Sequence, residues 1–293
     1  MVLAIVLALV SFAAGQSRRN AKGDSSTEGT VLSVTAFRED KKTDPIRIEN
    51  LFLYENGIEQ KIKNFVADPA PSKIVILVDN SKTLPTSVEK LKAAVMEFAY
   101  EIFDGDQLFV IAYDETAEII QEWTDDAKKM EASLGTFRKK GNPHLFDAID
   151  VSVKEILLPL MPGTRKTAVI VVADGLDRGS KTPFDKVLAE LQTQNVTVYG
   201  LQIPDRTGGA YRRDQTKAGA VMNKLAEETG GKVFPFDDAQ IAARSICDEL
   251  RKNRFLLSYQ PTNTSTYDAK RLFLVADEGI AIRMKVSQPP NVK

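Results

Sequence analysis

The chain has 293 residues, 43% of them hydrophobic and 27% charged, with 39 basic against 40 acidic side chains for a formal charge of −1. That balance leaves no net field to draw nucleic acid or an anionic membrane surface, and no basic stretch interleaved with aromatics stands out. One cysteine, Cys247, excludes an intramolecular disulfide, so the fold must rest on its core, in two domains or in one large domain with additions.

Val2–Phe12 is a short apolar run followed by Ala13-Ala14-Gly15-Gln16, the pattern of a secretory signal peptide over residues 1–15. The run is shorter than the ~20 residues a spanning helix needs. Export without a transmembrane segment is therefore expected, to a periplasmic, cell-surface or extracellular location. Residues 16–30 are polar and without apolar period, a disordered leader. Short strands are expected at 31–37, 46–48, 51–54 and 60–65, with Asn56-Gly57 marking a hairpin between the last two, all within a β segment over 31–68.

From 71 to 253 strands alternate with helices. Strands are expected at 73–79, 107–113, 117–121, 167–173, 196–202 and 232–236. Helices are expected at 86–103, 125–134, 145–157, 183–194, 214–229 and 238–252, the last burying Cys247 beside Ile246 and Leu250. Alternation of this kind argues an α/β fold with a doubly wound, mostly parallel sheet and helices on both faces. Strand-like stretches at 255–262, 271–275 and 280–286 fill a final β segment over 254–288, which pairs with 31–65 into a small β domain.

Ile74-Val75-Ile76-Leu77-Val78 is apolar at successive positions, as in a central strand covered on both sides, and it runs into Asp79-Asn80-Ser81-Lys82-Thr83. Ligands in such sheets bind beyond the strand carboxyl ends. A turning loop can aim the oxygens of Asp79, Ser81 and Thr83 at one point, and carboxylate plus hydroxyl is the ligand set of a small hard cation such as Mg²⁺. The second strand, 167–173, stops at Asp174-Gly175-Leu176-Asp177. The same residue types also cap helices, so capping of a helix starting near Pro85 is the competing reading.

A strand ending Asp-x-Ser-x-Ser/Thr, a middle loop before Leu-aromatic-Asp-Ala, and a later strand ending Asp-Gly together resemble a von Willebrand factor A domain. The flanking segments, with Leu51-Phe52-Leu53-Tyr54-Glu55-Asn56-Gly57, resemble a secreted bacterial group of that family. The resemblance implies one antiparallel edge strand and a metal-ion-dependent adhesion site for Mg²⁺ or Mn²⁺. It implies direct coordination by Ser81 and Thr83, with Asp79 and Asp174 acting closely or through water, and a partner protein's acidic side chain completing the shell. The middle loop departs from the pattern: in Gly141-Asn142-Pro143-His144-Leu145-Phe146-Asp147-Ala148, Pro143 stands where the family has a metal-binding Thr. Asn142, His144 and Asp177 are then reserve ligands, although imidazole suits Zn, Cu or Ni better than Mg. Asp147 is assigned to the helix that it opens.

The function expected is an exported, non-enzymatic adhesion-type module with a degenerate metal site, docking a protein through Asp79, Ser81, Thr83, Asn142, His144, Asp174 and Asp177. No nucleophile with a paired base, no Cys/His zinc set and no glycine-rich phosphate loop is present. Two alternatives stand beside it. One is a metal-free structural subunit of an envelope assembly, for which Pro143 speaks. The other is a Mg-dependent phosphohydrolase of the haloacid dehalogenase type, whose general acid would fall on the hydroxyl of Ser81. The loop Gly208–Arg213 is a candidate contact surface.

Overall fold

Ile74–Val78 is apolar throughout because both faces of its strand are covered. In the computed structural model, which describes residues 29–40, 42–161, 166–205 and 217–290, Ile74, Ile76 and Val78 face one layer of helices while Val75 and Leu77 face another. The expected leader peptide and the loop Gly208–Arg213 lie outside the described residues.

The chain opens with β1 (Thr30–Arg38), β2 (Leu51–Glu55), β3 (Ile58–Gln60) and β4 (Ile62–Ala67). The alternating part follows as β5 (Lys73–Asp79), α1 (Val88–Glu101), β6 (Gln107–Tyr113), β7 (Ala117–Thr124), α2 (Ala127–Leu134) and α3 (Leu145–Val151). It continues through β8 (Thr167–Ala173), α4 (Phe184–Thr193), β9 (Thr197–Gln202), α5 (Ala218–Thr229), β10 (Val233–Pro235) and α6 (Ala239–Lys252). The last strands are β11 (Arg254–Tyr259), β12 (Lys270–Ala276), β13 (Ile280–Met284) and β14 (Ser287–Gln288).

Six strands form the central sheet in the order β10-β9-β8-β5-β6-β7, parallel except for β7. Helices α1, α2 and α6 cover one face through Leu91, Phe98, Leu134, Ile246 and Leu250, and α3, α4 and α5 cover the other through Leu145, Ile149, Leu191, Val221 and Leu225. Connections leave β5 toward β6 and β8 toward β9, in opposite directions. The switch point of the sheet therefore lies at the carboxyl ends of β5 and β8, where such folds open a crevice. Cys247 is buried in α6, and burial first, then the charges of Asp106, Glu101 and Asp248, pushes its thiol up to about 12. It is an inert core residue.

The terminal strands make two four-stranded sheets, β13-β1-β11-β4 and β14-β12-β2-β3. They share a core of Leu32, Val34, Leu51, Leu53, Leu257 and Leu272, so the first and last segments close one sandwich as expected. Two expected strands read differently in three dimensions. Residues 46–48 pair with nothing as a strand: Ile48–Asn50 is a 3₁₀ turn, closed by Arg47 N–H donating to Asn50 Oδ1 at 2.9 Å. The strand expected over 60–65 breaks at Lys61, because Gln60 pairs with Leu53 in one sheet and Ile62 pairs with Tyr259 in the other. The helix expected over 145–157 is α3 followed by a π-type turn, Ser152–Leu157.

A buried polar cluster fastens the sandwich to the central layers. Glu249 of α6 accepts from Thr35 Oγ1 at 2.9 Å and Tyr199 OH at 2.6 Å through Oε1, and from Arg283 through Oε2. Arg254 donates to Thr35 Oγ1 at 3.2 Å and to Thr197 Oγ1 at 2.8 Å. Gly230 ends α5 at φ 85°, and a Cβ there would stand 2.7 Å from the Met284 Cα, so the close approach of β13 requires glycine.

Beside it Lys285 is buried, donating to the Gln192 carbonyl and to Gln288 Oε1, each at 2.6 Å. Burial pulls its ammonium down to about 7. A folded-state value below the unfolded one means that the unfolded chain binds more protons between the two. Stability of the wild type relative to Lys285→Met is therefore expected to rise as pH climbs from about 7 toward the ordinary lysine range of about 10.4, by on the order of 2–4 kcal/mol. Urea unfolding of both proteins at pH 7, 8.5 and 10 measures this, and a pH-independent difference would refute it.

Candidate metal centre

Asp79 ends β5 and is fully buried. Its Oδ1 accepts the Ser81 N–H at 2.8 Å, a turn that swings Ser81 back over the strand end. Ser81 Oγ then lies 3.1 Å from Thr83 Oγ1. The other carboxylate oxygen, Oδ2 of Asp79, is buried and has no hydrogen-bond partner. Burial pushes the Asp79 carboxyl up to about 7 against the Ser81 hydrogen bonds that favour its charge, with the negative charge of Asp174 adding to the push.

None of these three residues caps a helix. The N-cap of α1 is Ser87, whose Oγ accepts Lys90 N–H, so the competing reading of Asp79, Ser81 and Thr83 loses its helix end. An orphaned carboxylate oxygen beside two hydroxyls, at the switch point of the sheet, is a feature that folding alone does not reward.

Asp174 follows β8 on the opposite side of that switch point. It is buried, and its Oδ1 accepts Leu176 N–H at 2.9 Å. Burial raises its pKa first, Leu176 counters, and Asp205 raises it further. Gly175, at φ 87°, lets the turn pass under α5, where a Cβ would stand 2.3 Å from the Ala218 carbonyl oxygen. Lys139 supplies positive charge nearby: it donates to the Leu84 carbonyl and, at 3.0 Å, to that of Thr86, and it interacts electrostatically with Asp79 and Asp174.

The middle loop packs against this motif through its backbone. Lys82 N–H donates to the Gly141 carbonyl, Lys140 N–H to that of Asn80, and Arg178 N–H to that of Pro143. Its side chains are engaged elsewhere. Asn142 Nδ2 donates to Glu115 Oε1 at 3.0 Å, and the His144 ring lies against Gly179, where a Cβ would stand 2.8 Å from Nε2. Asp177 holds the head of α3, accepting Phe146 N–H at 3.2 Å and the Ser180 hydroxyl. Asp147 accepts the Lys181 and Thr182 N–H groups, which hold its pKa below the ordinary value against the upward push of burial. It therefore sits in the first turn of the helix that it opens, as expected, and also ties down the 181–182 turn.

The donor set thus divides. Asp79, Ser81 and Thr83 match a hard divalent cation in chemistry, and the orphaned Oδ2 matches it in need. Asn142, His144 and Asp177 are held by other partners or surfaces. Sequence reading missed Tyr113 and Lys139, because nothing local marks a core strand's tyrosine or a loop lysine as near this point.

The family model for the von Willebrand factor type A domain matches residues 73–248. Among solved structures, an aerotolerance-related membrane protein from Bacteroides fragilis is 19% identical with a TM-score of 0.49, over 62% of this chain and 99% of that one. BatB from Bacteroides thetaiotaomicron gives 19% and 0.49 over 62% and 98%. A von Willebrand factor type A protein from Catenulispora acidiphila is 13% identical with a TM-score of 0.49, over 90% of this chain and 75% of that one. No curated protein matches the chain.

Proposed function

The chain belongs to the von Willebrand factor type A domain family, and from that premise we propose that it is an exported, non-enzymatic module that binds another protein through a degenerate metal-ion-dependent adhesion site. Residues 71–253 form the binding domain and the flanking segments 31–68 and 254–288 its β platform. The observation that carries the reading is the buried, unpartnered Asp79 Oδ2 beside the Ser81 and Thr83 hydroxyls. These three residues would hold Mg²⁺ or Mn²⁺, with Asp174 behind them. When bound, the cation supplies an open coordination position for an acidic side chain of the partner. Among the described residues no helix is long and apolar enough to cross a membrane.

Without a side-chain oxygen at Pro143, and with Asn142 turned to Glu115, the site lacks one neighbour that the family pattern provides. Loss of even an outer partner costs about 10–100-fold in metal affinity. Binding is therefore expected to be weak, in the range of about 10⁻⁴–10⁻³ M typical of extracellular cation modules. A metal-free structural subunit of an envelope assembly is the second reading, favoured by that same loop. The phosphohydrolase reading gains nothing, since Ser81 Oγ sits beside Thr83 Oγ1 and a hydroxyl does not replace the required acid.

The deciding experiment is isothermal titration of the chelator-stripped protein with Mg²⁺ and Mn²⁺, paired with thermal unfolding in each ion. Saturable binding at or below millimolar concentration and a raised melting temperature are expected. No heat and no shift at 10-fold excess over that range would leave the metal-free reading standing.

A further inference from the structure

Tyr113 is the last residue of β6 and pairs in register with Asp79 on the neighbouring strand. Residues in register point to the same face of a sheet, so the phenol shares the layer between the strands and α3 with the Asp79 carboxylate. Its ring packs in the core with Leu145 and Ile149 of α3. The side chain is fully buried, yet its hydroxyl has no hydrogen-bond partner. A buried hydroxyl left unmatched costs roughly 1–3 kcal/mol.

Three carboxylates, Asp79, Asp174 and Asp177, act electrostatically on the phenol. Two of those carboxylates belong to the candidate centre. The third, Asp177, holds the Phe146 N–H at the head of α3, directly after the loop that carries Pro143. The backbone joins the end of β6 to both sides of the site: the Tyr113 carbonyl accepts Asn80 N–H at 3.0 Å, and the carbonyl of the next residue, Asp114, accepts His144 N–H at 2.9 Å, beside Pro143.

We propose that Tyr113 is a positioning residue of the cation site, its buried hydroxyl standing in for the one that Pro143 cannot supply. This rests on the metal-binding reading above. The phenol adds a polar contact to the site, and the orphaned Asp79 Oδ2 and Tyr113 OH are matched together when the site fills.

Titration of Mg²⁺ and Mn²⁺ into chelator-stripped wild type, Tyr113→Phe, and Tyr113→Phe combined with Pro143→Thr tests this. Wild type is expected to bind, Tyr113→Phe to bind about 10-fold or more weakly, and the double variant to recover affinity, because a loop hydroxyl replaces the phenol. The ion-free melting temperature of Tyr113→Phe is expected to equal or exceed that of wild type, since only an unmatched hydroxyl is removed. Should that variant fail to fold, Tyr113→Met, which keeps an apolar side chain in the layer, carries the same expectation. Wild-type binding with an unchanged affinity in the Phe variant would overturn the role of Tyr113 alone. Absence of binding in wild type would overturn the metal reading and this inference together, and weakened binding that Pro143→Thr does not restore would reduce Tyr113 to packing.

Discussion

Asp79→Asn is expected to make the ion-free protein more stable while removing the proposed cation binding. The carboxyl is raised by burial to about 7, well above its ordinary value near 3.9. A raised folded-state pKa means that the stability present below about pH 4 is lost as pH rises through about 7, because the fold then confines a charge that water would solvate. Asparagine keeps the oxygen that accepts Ser81 N–H and carries no charge. At pH 8 the gain is expected to be about 1–3 kcal/mol, or roughly 2–10 °C in melting temperature. Below pH 4 the two proteins should converge. Calorimetry across that range, with Mg²⁺ titration of each protein, measures both halves. A variant less stable than wild type at pH 8 would identify Asp79 as a structural residue. A stability sacrifice at a ligand-binding residue is the pattern that functional sites show.

Glu249→Ala should have the largest effect in the opposite direction. The carboxylate accepts from Thr35, Tyr199 and Arg283 where the sandwich meets the central layers, and Arg254 reaches it through the Thr35 hydroxyl. Removing one member of a buried ionic cluster leaves uncompensated charge, at a cost of about 3–5 kcal/mol. Denaturant unfolding is expected to show this loss, whereas Glu249→Gln, which retains an acceptor for Thr35 and Tyr199, should lose about half as much. An alanine variant within 1 kcal/mol of wild type would mean that apolar packing alone holds the junction.

Much of this was legible in the sequence because it is local. The unbroken apolar runs 74–78 and 167–173 could only be strands covered twice, and their alternation with helices fixed the layered class. That Asp79, Ser81 and Thr83 gather at a strand end was legible from their spacing. The helix start was less legible: propensity places it near residue 86, and only the Ser87–Lys90 hydrogen bond shows that the three oxygens are free of capping. Strand ends at Lys61 were hidden because a change of sheet leaves no trace in periodicity when Gln60 and Ile62 both point into cores.

The amino-acid sequence by itself determined which oxygens are offered, which hydroxyl is missing at Pro143, and that the core must hold without crosslinks. Only the tertiary structure decided how those groups are spent. Asn142 turns to Glu115, Asp177 binds the head of α3, and Asp147 binds the 181–182 turn, all through contacts between segments far apart in sequence. It also decided that Asp79 and Tyr113 pair in register, with the carboxylate Oδ2 and the phenol hydroxyl both buried and unmatched. Composition and spacing report what a side chain is, whereas the cost of burying it depends on which partners the fold brings within hydrogen-bonding distance.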